Sequence, residues 1–153
     1  MDSFEKNRNR LAAEKVMAAL KRRHMNGYYA ETAEEALHLA LSLIPEGSTV
    51  GWGGSMSIEE IGLKAALKAG HYRVIDRDAA ANAEERKALE RQCFSADFYL
   101  MSTNAITEDG ILVNLDGRGP RVAALCYGPD HVILIVGMNK LTTDVEAAVS
   151  RVW

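Results

Sequence analysis

Three stretches of the chain gather residue types that could hold or transform a small molecule. The first is Gly51-Trp52-Gly53-Gly54-Ser55-Met56-Ser57, where Gly53 and Gly54 would let the backbone approach a ligand and Ser55 offers a hydroxyl and an amide. The second begins at Ser102-Thr103-Asn104-Ala105 and continues to Asn114, Asp116, Arg118 and Arg121. The third is Gly137-Met138-Asn139-Lys140. The amides of Asn104, Asn114 and Asn139 could orient a hydroxyl or carboxylate, and the Arg121 guanidinium suits an anionic oxygen. Each stretch also has a plainer reading, because a sharp strand-to-helix connection needs glycine and asparagine forms turns.

Glu60, Glu108 and Asp116 are the carboxylates considered for proton chemistry, and none is assigned as catalytic. Glu108 is either a solvated hairpin residue, the favoured reading, or an acid projecting over a site. Asp116 either orients Arg121 or Arg118 or forms a surface pair with one of them. If Glu60 closes a capping box with Ser57, its charge in the first helical turn would repel phosphate.

Several familiar chemistries lack their residues. The third glycine of a dinucleotide fingerprint falls at Met56, and no lysine ends a P-loop, although Asp76 stands where a ribose-binding acid could be. Ser55 is not in a GxSxG elbow. His24, His38, His71 and His131 form no triad with it. Cys93 and Cys126 show neither CxxC spacing nor a histidine at helical offset, so they read as buried free thiols and not as metal ligands.

The elements that would position these residues follow from periodicity and capping. A helix is predicted from about Phe4 to Met25, with Ala13, Val16, Met17, Leu20 and His24 on one face and Gly27 as its stop. A short strand follows at Tyr28 to Ala30. Thr32 with Glu35 caps a second helix that buries Ala36, Leu37, Ala40, Leu41 and Ile44. Thr49 to Trp52 is a strand entering the glycine turn. A helix from Ser57 towards Ala69, capped by Ser57 with Glu60, should weaken at Gly62. Further strands are expected at Tyr72 to Asp76, Asp97 to Ser102 and His131 to Val136, with helices at Asn82 to Phe94 and from Pro120, a first-turn proline, to Cys126. Asp109-Gly110 predicts a hairpin over 106–114 with a two-residue primed turn, and Thr143 to Glu146 caps a last helix. This alternation predicts an α/β fold, three layers with helices on both faces of a largely parallel sheet and a β-hairpin insertion. Ligands in such sheets collect beyond the carboxyl ends of the strands.

Composition sets the outer bounds. The 153 residues suit one compact domain, 1–153. The 18 basic and 21 acidic residues give a net charge of -3 and are interspersed, which argues against nucleic acid as a partner. No apolar run reaches the length of a membrane span and the N-terminus carries no signal core, so neither a membrane partner nor export is expected, and the location implied is cytoplasmic. Self-association is compatible with the fold.

Taken together, GWGGSMSIEEIG at 51 to 62, STNAITEDGILVNLDGRGPRVAAL at 102 to 125 and VGMNKL at 136 to 141 resemble the lactate-utilisation (LUD) domain family, in particular its stand-alone lactate utilization protein C type. The resemblance covers most of the chain from the second helix onward. It implies a fold similar to glucosamine-phosphate deaminases, ribose-phosphate isomerases and CoA transferases. It also implies a role in an operon-encoded system that oxidises lactate to pyruvate, where iron-sulfur partner subunits carry the electrons and this chain encodes no cofactor of its own. Longer members continue into a cysteine-containing segment, whereas this sequence stops at Trp153, as a short homologue or a truncated chain would. The expected pocket, lined by Gly53, Gly54, Ser55, Asn104, Asn114, Asp116, Arg121 and Asn139, would take a small hydroxy- or keto-acid or an anionic cofactor fragment. Two alternatives stand beside it: a non-catalytic subunit that docks a redox partner, and a sugar-phosphate isomerase. In the isomerases an acid occupies the place of Asn104, which counts against the second.

Overall fold

The structure, a computed structural model, describes residues 3–153. In chain order it contains α1 (Ser3–Arg22), α2 (Ala33–Leu43), β1 (Thr49–Trp52), α3 (Met56–Glu60), α4 (Leu63–Ala69), β2 (Arg73–Ile75) and α5 (Ala83–Gln92). Then follow β3 (Phe98–Met101), β4 (Ala105–Thr107), β5 (Leu112–Val113), α6 (Pro120–Cys126), β6 (His131–Leu134), β7 (Leu141–Thr142) and α7 (Val145–Val152). Short 3-10 turns lie at Arg77–Ala79, Cys93–Ser95 and Met138–Lys140. The chain divides into two compact units, one formed by Leu37–Ser102 with Asp116–Ile135, the other by the remaining described residues.

The first unit holds a four-stranded, wholly parallel sheet in the order β2-β1-β3-β6. Alternation along the strands sends Val50, Trp52, Phe98 and Leu100 to one face, where they pack with Ala40 of α2, with Ile44 just beyond it and with Ile58, Leu63 and Leu67. Tyr99 and Met101 go to the other face and meet Cys93 and Ala124. Helices on both faces of a parallel sheet are therefore observed. β1 has the expected bounds, and β2, β3 and β6 are each two residues shorter than the apolar runs suggested.

Two local expectations change here. Ser55, not Ser57, is the N-cap of α3, its Oγ accepting from Ile58 N at 3.4 Å. Glu60 is then the exposed last residue of a five-residue helix, and the acidic residue of the first turn, where it would repel an anion, is Glu59. Gly62 does interrupt the helix, because it adopts φ +77°, a left-handed conformation that a side chain disfavours. Of the two thiols only Cys93 is buried; Cys126, at the end of α6, is exposed.

The second unit holds a three-stranded sheet, β5-β4-β7, in which β4 pairs antiparallel with β5 and parallel with β7. α7 packs against β4. The hairpin is present but its turn is not the primed type. Gly110 alone has positive φ, +81°, and Gly110 N donates to Thr107 O while Thr107 N donates to Ile111 O, the pattern of a type I turn closed by a bulge. α1 ends at Arg22 and not at Gly27: His24, at φ 60°, takes the left-handed position, with Met25 N donating to Leu20 O and His24 N to Lys21 O. Tyr28 to Ala30 forms no strand. Asp144 caps α7 through Ala147 N at 2.8 Å.

Candidate functional site

In the parallel-sheet unit β1 lies between β2 and β3, so the chain leaves it first to one side and later returns on the other. Sheets with such a reversal receive ligands beyond the carboxyl ends of the strands beside it, here β1 and β3. Gly53 and Gly54 follow β1, and Ser102 follows β3. Gly53 N donates to Leu100 O at 3.0 Å, extending the pairing one residue past the strand.

Both glycines are required by neighbours that close in on the turn. A Cβ at Gly53 would stand 2.7 Å from the Tyr99 hydroxyl and 3.3 Å from Arg121 Cγ; one at Gly54 would stand 2.9 Å from Arg77 Nη2. A side chain at either position would collide with them. Burial pushes the Tyr99 phenol well above its ordinary value, so it faces the turn as a neutral hydroxyl. Ser55 is half-buried, with its hydroxyl oxygen engaged as the cap of α3.

Arg121 comes from the first turn of α6, a helix that Pro120 opens without sacrificing a hydrogen bond. Its Nε donates to Asp116 Oδ1 at 2.9 Å and its Nη1 to Ser102 O at 3.5 Å, while Asp116 Oδ2 accepts from Val122 N at 2.8 Å. The two side chains are 12% and 11% exposed. Asp116 thus anchors the start of α6 and holds the Arg121 guanidinium, one oxygen for each. Gly53, Gly54, Ser55, Asp116 and Arg121 all belong to this unit.

Next to Ser55 lies an open cavity of about 450 Å³ lined by Gly54, Ser55, Met56, Glu59, Lys64 and Asp78. Lys64 Nζ donates to Asp78 Oδ2 at 2.9 Å and sits 5.7 Å from the centroid of the Trp52 ring, and the Trp52 indole donates to the same oxygen at 3.2 Å. Burial works to raise the Asp78 carboxyl, but the Lys64 bond and charge, the indole and Arg77 outweigh it and hold the group below its ordinary value. Asp76, the ribose-acid candidate, is engaged with Lys68 at 2.7 Å and with Asp78 N at 3.0 Å.

The remaining candidates lie in the other unit, where each has a local structural partner or position. Asn104 N donates to Asn114 Oδ1 at 3.3 Å and Leu115 N to Asn104 Oδ1 at 3.1 Å, so the two amides clamp the base of the hairpin. Asn139 is exposed in the turn before β7. Glu108 is half-buried and pairs with Lys15 of α1 in an exposed ion pair.

Arg77, Asp78, Lys64 and Glu90 were not singled out from sequence. Arg77 and Asp78 follow β2 directly, so the rule that led to Gly53 and Ser102 also covered them; attention to Asp76 alone passed them over. Glu90 reads as a surface helix residue until the fold sets it 3.0 Å from Arg77 Nη1.

Among the described residues no group of three or more histidine, cysteine or acidic side chains could hold a metal ion, and no helix is long and apolar enough to cross a membrane. Comparisons with curated proteins and with solved structures gave no match. The model of one family, described as LUD domain, matches residues 13–153. The motifs quoted from the glycine turn, the hairpin and the third stretch all lie within that match, and the chain belongs to the LUD domain family.

Proposed function

We propose that this chain is a component of a lactate-utilisation system and that the crevice of its parallel-sheet unit, at Gly53, Gly54, Ser55 and Arg121, binds a small hydroxy- or keto-acid or an anionic cofactor fragment. The observation that carries the reading is Arg121, held 2.9 Å from Asp116 beside a turn stripped of side chains. A guanidinium fixed by one carboxylate and enclosed by protein is organised in advance for a second anion. Family membership supplies lactate and pyruvate as the acids to try first.

Oxidation of lactate to pyruvate releases two electrons and two protons. Cys93, packed under Gly51, and Cys126, exposed at the end of α6, are no ligand set for an iron-sulfur cluster. Electron transfer would therefore fall to partner subunits. A second reading, a binding subunit that docks a redox partner without chemistry of its own, draws support from the carboxylates of the rim: Asp116, Asp78 and Glu90 are all engaged by cations. The isomerase reading loses ground at Asn104, whose amide serves the hairpin.

Calorimetric titration of the purified chain with lactate and pyruvate tests the proposal. Arg121→Ala should weaken binding at least about tenfold, the loss of one charge-assisted contact, and Ser55→Ala by less. Affinities indifferent to Arg121→Ala would remove the assigned site. Turnover of lactate by the isolated chain would defeat the docking-only reading.

A further inference from the structure

Beside the glycine turn one carboxylate is surrounded by three guanidinium groups. Glu90 of α5, its side chain only 7% exposed, accepts from Arg77 Nη1 at 3.0 Å and Arg118 Nη2 at 2.9 Å, with Arg86 Nε at 3.5 Å. A single negative charge cannot balance three positive ones, so the cluster keeps an excess of positive charge. Asp78 Oδ1, 3.6 Å from Arg77 Nε, offsets part of it, while the other Asp78 oxygen is held by Lys64 and the Trp52 indole. Arg77 is nine-tenths buried, and neither its Nε nor that of Arg86 has a hydrogen-bond partner.

The cluster is accessible from outside. The Arg118 side chain is 60% exposed, and among the described residues the carboxylate it pairs with is Glu90. It rides on Gly117-Arg118-Gly119, and a Cβ added to either glycine would meet nothing within 4 Å, so open space borders that loop. Arg77 Nη2 brings the cluster to within 2.9 Å of the Cβ position of Gly54, which is itself exposed.

We propose that Arg77, Arg86 and Arg118 form an anion subsite adjoining the glycine turn, for a phosphate-class group carrying two or more negative charges, with Arg118 swinging from Glu90 to close on it. A multiply charged anion suits the positive excess, and the planar fork of arginine fits tetrahedral phosphate oxygens in pairs. When Arg118 leaves Glu90, Arg77 and Arg86 still face that carboxylate, so it does not become a buried unpaired charge. The subsite goes beyond the hydroxy-acid reading and does not depend on it.

Calorimetric titration of the full chain with pyrophosphate at low ionic strength, where screening is least, tests the subsite. Pyrophosphate should bind, and Arg118→Gln and Arg86→Gln should each weaken it at least tenfold, whereas Arg8→Gln on the exposed face of α1 should change it less than twofold. Arg118→Gln should leave lactate affinity unchanged and Arg121→Ala should leave pyrophosphate affinity within threefold, which separates the two proposals. ADP binding more tightly than pyrophosphate would assign the dianion to a nucleotide-bearing cofactor, and the reverse order would assign it to an inorganic ion; both support the subsite. No pyrophosphate binding by the unaltered chain, or losses in Arg118→Gln and Arg86→Gln no larger than in Arg8→Gln, would overturn it. Thermal melts of each variant verify the fold.

Discussion

In the parallel-sheet unit the fully enclosed side chains are large: Trp52, Ile44, Ile58, Leu63, Leu67, Leu100 and Met101. In the other unit the most enclosed are small, among them Ala19, Ala105 and Ala148 with Thr103 and Thr107. The first arrangement fills the space between a sheet and its two helical layers with volume. The second lets backbones come close, as α7 does on β4 and as Gly110 does on α1, where an added Cβ would lie 3.1 Å from Leu20 N. The same requirement, dense packing, is thus met by opposite choices of residue, and the two units should fail in opposite ways when altered.

Removing volume should do most damage in the parallel-sheet unit. Trp52→Ala deletes a side chain with no exposed surface and strips Asp78 of the indole hydrogen bond, so chemical denaturation should show a loss of about 3–5 kcal/mol. A loss under about 1 kcal/mol would mean that this core collapses around the gap. Adding volume is the sharper challenge to the other unit: Ala148→Leu should cost about 1–3 kcal/mol by forcing α7 off β4, although it makes the residue more apolar. A stabilised Ala148→Leu variant would break the contrast.

The smallest effect concerns the thiols. Burial raises the Cys93 thiol from 9.0 to about 11, so the folded state keeps a proton that the unfolded chain has lost over that interval. Stability from this group is fully present below pH 9.0 and is lost as pH climbs through about 11. A Cys93→Ala chain should show a shallower alkaline decline in its denaturation midpoint. A disulfide-exchange reagent at neutral pH should modify Cys126 at once and Cys93 only as fast as the protein opens.

The contrast also explains what could be read in advance. β1, the glycine turn, the break at Gly62 and the proline start of α6 were legible because each depends on residues within a turn of one another. β7 was not: Leu141 and Thr142 gain strand geometry by pairing with Ile106 and Thr107, far away in sequence, and two residues carry no period. At the start of α3 the capping-box spacing singled out Ser57 with Glu60, whereas Ser55, three residues before Ile58 and so outside that template, supplies the cap. In the candidate site, the glycines and the Asp116–Arg121 pair, five residues apart, were visible as possibilities. The Arg77–Glu90 pairing was hidden because it depends on how α5 lies on the turn after β2.

The account stands on an acid being held at the turn after β1 beside Arg121. Backbone amide shifts followed by two-dimensional NMR during a lactate titration read this directly. The account predicts saturable movement of the Gly53, Gly54 and Ser55 resonances together with the Arg121 side-chain Nε–H. Movement confined to other residues, or none at all, would contradict it.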